Sequence, residues 1–126
     1  MTFTDLNDEN IVVDTGNDAI VIINYLEGLT GGRSLDTTGF TPKVIQGGHI
    51  VIKDAKGVYK PMPIIDNAYA TLPAAHTIVG VVVTSILTTK PMAAIMVRGS
   101  VNQIASPYPL TDAIKTALPL IRFTQD

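Results

Sequence analysis

The chain predicts a mainly β protein: a small sandwich- or barrel-like body of about seven short strands, one short C-terminal helix and an N-terminal arm. Three observations carry that class. The stretch 77–102, TIVGVVVTSILTTKPMAAIMVRGSVN, is dense in β-branched residues, which favour a pleated strand over a helix. The segment 43–64 carries the chemistry of a hairpin. Only one segment, 110–118, spaces its apolar residues as a helix does.

A length of 126 residues is that of one domain. Area scaling gives a folded surface of roughly 6,500 Å² against about 19,000 Å² unfolded, so the chain can bury a sizeable core without staples. Cysteine is absent, which excludes disulfides and thiolate metal sites. Charged residues make up 16% of the chain, against about 25% in an average soluble protein. Such a charge-poor composition is expected where part of the surface is covered in an assembly. The formal charge of −2 has the wrong sign for a nucleic-acid footprint. The opening MTFTDLNDENIVV has no basic region followed by an apolar run, so the reading is a protein made and held in a cytoplasm.

Residues 1–10 are polar and acidic and read as a mobile arm. Ile11, Val12 and Val13, then residues 19–23, flank the turn-rich 14–18 and read as a short hairpin inside that arm. The segment 26–42 holds four glycines without an apolar period and reads as a linker, so the predicted units are an arm, 1–30, and a compact domain, 31–126. Strand 49–53 leads through the turn 54–57, with Gly57 where φ can be positive, into Val58, Tyr59 and Lys60. Pro61 and Pro63 mark an edge or an exit from the sheet. Residues 65–76 read as a loop. The helix 110–118 has Thr111 as its cap, Asp112 at the positive end of its dipole and Pro119 as its stop, and 120–123 reads as a last strand.

The stretch 77–102 is too interrupted to span a membrane. Thr84, Ser85, Thr88 and Thr89 intervene, and Lys90 and Pro91 break it. It reads instead as strands 78–87 and 92–98 joined by the turn 88–91. Ile78, Val82 and Ile86 should point one way, and Val79, Val81, Val83 and Leu87 the other. A half-solvated strand alternates apolar with polar, and this one does not. Both faces must therefore be covered, by the chain itself or by another copy.

Candidate chemistry is sparse. His49 and His76 each lack a second ligand at helical or turn spacing, and a metal site needs three or four. Asp54 starts a turn and Asp66 sits in a loop, which is a plainer role than paired acid–base carboxylates. Ser34 and Ser100 lack the nucleophile elbow, and GLTGG, 28–32, lacks both the phosphate-loop lysine and the dinucleotide spacing. Lys53, Lys56 and Lys60 crowd one hairpin without an aromatic platform and read as a solvated edge. The expectation is a protein with no catalytic, cofactor or metal residues, working through its surfaces.

The segments GGRSLDTTGFTPKVIQGGHIVIKD, YKPMPI, LPAAHTIVGVVV, KPMAAIMVRGSVN and IKTALPLIRF cover most of 31–123. In order and phrasing they resemble the head decoration and head-fibre proteins of tailed bacteriophages, above all those of phages and prophages of gut Bacteroidetes. Gly80, Val81, Val82 and Val83, then 94–101, then the helix and the last strand match the outline of the lambdoid decoration type. The resemblance implies a small β-rich body, often a trimer, seated on the outside of an expanded capsid, with an N-terminal arm that adds a strand to the shell. The implied partners are further copies of the chain and the major capsid protein, with neither nucleic acid nor membrane. Candidate subunit contacts are Val81, Val83, Leu87, Met92, Met96 and Ile104, and candidate capsid contacts are Ile11, Val12, Val13, Ile20 and Ile22. On this reading, deletion of 1–25 leaves a folded protein that no longer joins the shell. Two other classes stay open: a small module recognising a carbohydrate or a host protein, which calls for the tyrosines Tyr25, Tyr59, Tyr69 and Tyr108 to cluster, and an enzyme using His49 or His76 with a loop aspartate.

Overall fold

The backbone of the computed structural model follows the mainly β expectation, and it describes Gly16 and residues 18–125. Among the described residues two short helices, α1 (Asp18–Val21) and α2 (Asp112–Ala117), accompany twelve short strands. Eight of these are numbered from the N-terminus as β1 (Ile22–Gly28), β2 (Arg33–Ser34), β3 (Val44–Ile45), β4 (Ile50–Lys53), β5 (Tyr59–Pro61), β6 (Ile64–Ile65), β7 (Ala68–Tyr69) and β8 (Thr77–Val82). The remaining four are β9 (Ile86–Leu87), β10 (Met92–Ala93), β11 (Ile95–Asn102) and β12 (Ile121–Thr124).

The main sheet runs β1-β11-β8-β4-β5, and β12 joins it along β11. All neighbours are antiparallel except β11 and β12, which pair in parallel from Gly99↔Ile121 to Asn102↔Thr124. A parallel pair cannot be joined by a tight turn, and α2 lies in the connection that makes the return possible. Thr111 caps α2 as its sequence predicts, its Oγ1 accepting from the Ile114 amide at 3.3 Å.

The two apolar faces of 77–102 are covered by the chain itself. On one side of the sheet, Ile50, Ile52, Val81, Met96 and Val101 pack with Val21, Ile114, Leu118 and Ile121. On the other, Val51, Val82 and Ile95 pack with Leu35, Ile45 and Ala93. That second layer is built by the pairs β2–β10 and β3–β9, in which the run that looks like one long hairpin leaves the main sheet after Val82 and folds over its back. The turn 88–91 therefore joins two excursions, and the strands 78–87 and 92–98 of the sequence reading are each divided: Ile86 and Leu87 pair with β3, while Met92 and Ala93 pair with β2.

The expected side-chain alternation along β8 also changes. The register between β4 and β8 passes from Val51↔Gly80 to Ile52↔Ile78, leaving Val79 as an extra residue. This bulge rotates the strand, so Ile78 packs on the same core as Val81 rather than with Val82.

Two boundaries differ from the sequence reading. Residues 18–28 belong to the body: Val21 is fully buried in the core, and β1 pairs with β11 over its length. The compact unit therefore does not start at residue 31. Residues 19–21, read as strand, form the helical turn α1, Ile22 and Ile23 are strand as expected but begin β1, and the predicted partner 11–13 lies outside the described residues. The predicted loop 65–76 contains the hairpin β6–β7, closed by Asp66 and Asn67 at φ 52° and 61°, the left-handed pair that a tight two-residue turn demands.

Gly80 is the point of closest approach between β8 and β11. A Cβ there would run into the Met96 carbonyl and the Ile95 side chain. Gly80→Val should therefore destabilise the fold by about 3 kcal/mol or more, since a backbone atom cannot step aside as a side chain can. A urea titration followed by far-ultraviolet dichroism checks this, and an unchanged midpoint would show that β8 and β11 separate at no cost.

Candidate functional site

Asp18, the first residue of α1, is held by a chain of hydrogen bonds. Its Oδ2 accepts from the Ser85 amide at 2.8 Å and its Oδ1 from the Ser85 hydroxyl at 2.7 Å, while the Gly47 amide donates to the same hydroxyl oxygen at 2.9 Å. The carboxylate thus ties the start of the body to two loops far away in sequence. A cleft of about 320 Å³ beside it is lined by Asp18, Gln46, Gly47, Pro107 and Tyr108.

His49 is sealed inside the body. Its Nε2–H donates to the Met62 carbonyl at 2.9 Å, and its ring is met edge-on by Phe40, Tyr69 and Tyr108 at centroid distances of 5.3, 5.2 and 5.6 Å. Burial pushes its pKa down to about 4, against the smaller upward pull of the Met62 bond. Tyr69 is buried beside it, accepts from the Ile50 amide and has its phenol pushed up by the same loss of water. The ring is a buried packing element with one satisfied donor.

His76 occupies a different setting. Its Nδ1–H donates to the Ala74 carbonyl at 2.8 Å, which leaves Nε2 to accept from the Lys60 ammonium at 3.2 Å. Lys60 also stands 3.7 Å from Asp54 Oδ2. Asp54 in turn accepts from the Val58 and Lys56 amides, and these bonds, Val58 first, hold its carboxyl below the usual value. The turn that presents His76 places Ala75 at φ 62°, a left-handed conformation that costs a residue with a Cβ about 1–2 kcal/mol. His76 and Lys60 open onto a cleft of about 280 Å³, whose other walls include Asp36, Phe40, Ile52 and Pro63. Asp36 is kept ionised by the Thr38 hydroxyl and amide, which both donate to Oδ1 and lower its pKa.

The three hairpin lysines do not act together. Lys60 turns to this cleft, Lys53 lies 5.9 Å from the Tyr59 ring centre with Arg33 at 5.5 Å, and Lys56 is exposed in the turn. Among the described residues no group of three or more histidines, cysteines or carboxylates could hold a metal ion, and no helix is long and apolar enough to cross a membrane.

The candidate contact residues are widely dispersed. Val81 and Met96 are fully buried in the chain's own core, on the side covered by Val21, Ile114 and Leu118, so neither can meet a neighbour. Val83 and Leu87 are half-buried, Val83 against the core and Leu87 paired with Val44. Met92 and Ile104 are exposed, but they lie beyond opposite ends of β11. Of the capsid candidates, Ile20 is exposed, Ile22 packs against the core, and Ile11, Val12 and Val13 lie outside the described residues. Of the tyrosines, Tyr69 and Tyr108 meet at 5.3 Å, facing inward around His49, while Tyr25 and Tyr59 stand on opposite edges of the main sheet.

Sequence reasoning missed the open edge. Among the described residues the main sheet ends in β5 and β1. β5 is three residues long and carries Lys60 and Pro61, both of which discourage pairing with another chain. β1 is seven residues long, and its register with β11 skips Ile23, between Ile22↔Val101 and Asn24↔Ser100, and Leu26, between Tyr25↔Gly99 and Glu27↔Arg98. The two bulged residues are apolar and about half exposed, as is Tyr25 between them. Among the described residues this edge is therefore long, carries three exposed apolar side chains beside Asn24 and Glu27, and is free of lysine and proline.

No protein-family model, no curated protein and no solved structure matches this chain.

The buried imidazole makes stability depend on pH. An unfolded histidine takes up its proton near pH 6.5 and the folded one only near 4, so between these values the unfolded chain binds more protons. Stability should therefore fall as pH drops through 6.5 and level off below 4, with a total loss from this group of about 3 kcal/mol. Urea midpoints measured across that range should show the slope in the native chain and its loss in His49→Gln. The same slope in both would place its origin elsewhere.

Proposed function

We propose that this chain is a structural virion protein that binds the outside of a phage capsid as a trimer, decorating or cementing the shell or forming the base of a head fibre. The observation that carries the reading is the open edge of β1. An exposed strand offers a row of main-chain donors and acceptors for β-augmentation, in which backbone bonds supply affinity and side chains supply selectivity. Here Ile23, Tyr25 and Leu26 are the side chains on offer. Three copies in a trimer would present three such edges, and avidity can then exceed single-edge affinity by about 10²–10⁴. The order of segments shared with head decoration and head-fibre proteins supports the same reading, and so does the scarcity of surface charge. The chain acts on this reading without catalysis, is made in a bacterial cytoplasm and ends on the virion surface.

A second reading, a small module that recognises a carbohydrate or a host protein, is favoured by the Lys60–His76 cleft rather than by the tyrosines.

The edge also moves the truncation that tests the proposal. Deleting 1–25 removes Val21 from the core and half of β1, so it should unfold the protein rather than detach it. The better variant is Ile23→Lys with Leu26→Lys, which charges the edge at two exposed, bulged positions. Native mass spectrometry of the full chain should give a species near three times 13.4 kDa that persists on dilution. Sedimentation with expanded capsids of the phage or prophage that encodes the chain should carry down the native protein and leave the folded double variant in solution. A monomer at all concentrations would remove the trimer, and equal sedimentation of the variant would remove the edge from shell binding.

A further inference from the structure

We propose that the cleft between the 36–41 loop and the 73–76 turn binds one neutral sugar residue, either a free glycoside or the end of a glycan. This rests on the cleft alone and does not depend on any role at a capsid. Its volume of about 280 Å³ sits at the small end of ligand pockets, which start near 300 Å³, and so admits a single ring rather than a nucleotide or a folded peptide. The apolar walls come from Phe40, Ile52, Ile64 and three prolines, which offer a dry surface to the C–H face of a pyranose.

The polar groups decide the ligand's charge. Asp36 has Oδ1 engaged by Thr38, and Oδ2 accepts no hydrogen bond from the described residues. Lys60 uses one proton on His76 and leans toward Asp54, which leaves a donor for the cleft. Thr41 adds a hydroxyl. With His76 neutral as the acceptor from Lys60, the charged lining groups are Asp36 at −1 and Lys60 at +1, so the formal charges of the walls cancel, and Lys60 is already countered from outside the cleft by Asp54. An anionic ligand would face Asp36, and the one ammonium in the walls is already shared with Asp54 and His76. A cationic one would face Lys60, whose position is fixed from two sides. A neutral polyol avoids both conflicts, because each hydroxyl can donate to Asp36 or accept from Lys60. The left-handed Ala75 belongs to the turn that aims His76 at Lys60, and strain held at such a place is what a pre-set binding group requires.

The test is an amide chemical-shift titration of the full chain with one ring in three charge states. The probes are the methyl glycosides of glucose, galactose, mannose and N-acetylglucosamine as neutral forms, glucuronate as the anion and glucosamine as the cation. At least one neutral glycoside should move the amides of Gly39, Phe40, Thr41, Lys60 and His76, with both charged forms weaker. Asp36→Ala should weaken that binding by about tenfold, the ordinary effect of losing a charged acceptor. Thr41→Val, at an exposed position on the rim, should weaken it less and serves as the second variant should the first disturb the 36–38 turn. Tighter binding of glucuronate or glucosamine, shifts centred elsewhere, no response to any neutral glycoside, or full affinity in both variants would each overturn the proposal.

Discussion

The whole arrangement depends on one strand serving three neighbours. β11 gives one edge to β1 along its length, and divides the other between β8 at Ile95 and Met96 and β12 from Gly99 onward. The handover happens within three residues, at Gly99, where φ is 152° and a Cβ would strike the Asn24 carbonyl and the Met96 sulfur. A side chain at that point would push β1 off the sheet or displace Met96 from the core. Glycine lets a parallel neighbour begin on the same edge only two residues, Val97 and Arg98, after the antiparallel one ends.

Because β11 sits in the interior, the strands around it need cover on both sides, and the chain supplies it unevenly. One side receives α1, α2 and Tyr69 of β7; the other receives the two-residue pairs β2–β10 and β3–β9 and the loops between them. Short pairs of this kind bury apolar side chains without adding long edges of their own. The exposed features are then few and separated: a bulged apolar edge at β1, and a cleft by β5 where Lys60 and His76 face the solvent. An edge suits an extended polypeptide and a cleft suits a small molecule, so the two surfaces divide recognition between them.

What was legible in the sequence was whatever is decided locally. The 54–57 turn is written in Asp54 and Gly57, and both act as expected, Asp54 accepting from two amides and Gly57 standing at φ 86°. The helix is legible from Thr111 and the spacing up to Leu118, because capping and periodicity need no distant partner. α1 is different: the branched Ile20 and Val21 favour a strand, and the contacts of Asp18 with Ser85, 67 positions away, win. The demand for two covered faces was visible in 77–102, but its solution was not. β2, β3, β9 and β10 hold two residues each, too few to show a period, and exist only because they find one another across the back of the sheet. The Lys60–His76 pair is equally non-local and has no signature in spacing. The open edge could have been sought by asking which apolar strand lacks lysine and proline.

The order of β1 and β11 along the chain has a consequence for synthesis. β1 leaves the ribosome well before its partner, which is complete only at Asn102. At about 5–20 residues per second, some 75–80 residues of delay correspond to roughly 4–16 s in which Ile22, Ile23, Tyr25 and Leu26 travel unpaired in a crowded cell. Neighbouring nascent chains on one messenger carry the same strand at the same stage. Selection on this segment therefore acts twice, once on the finished surface and once on the waiting strand, and Asn24 and Glu27 break up its apolar run during that interval.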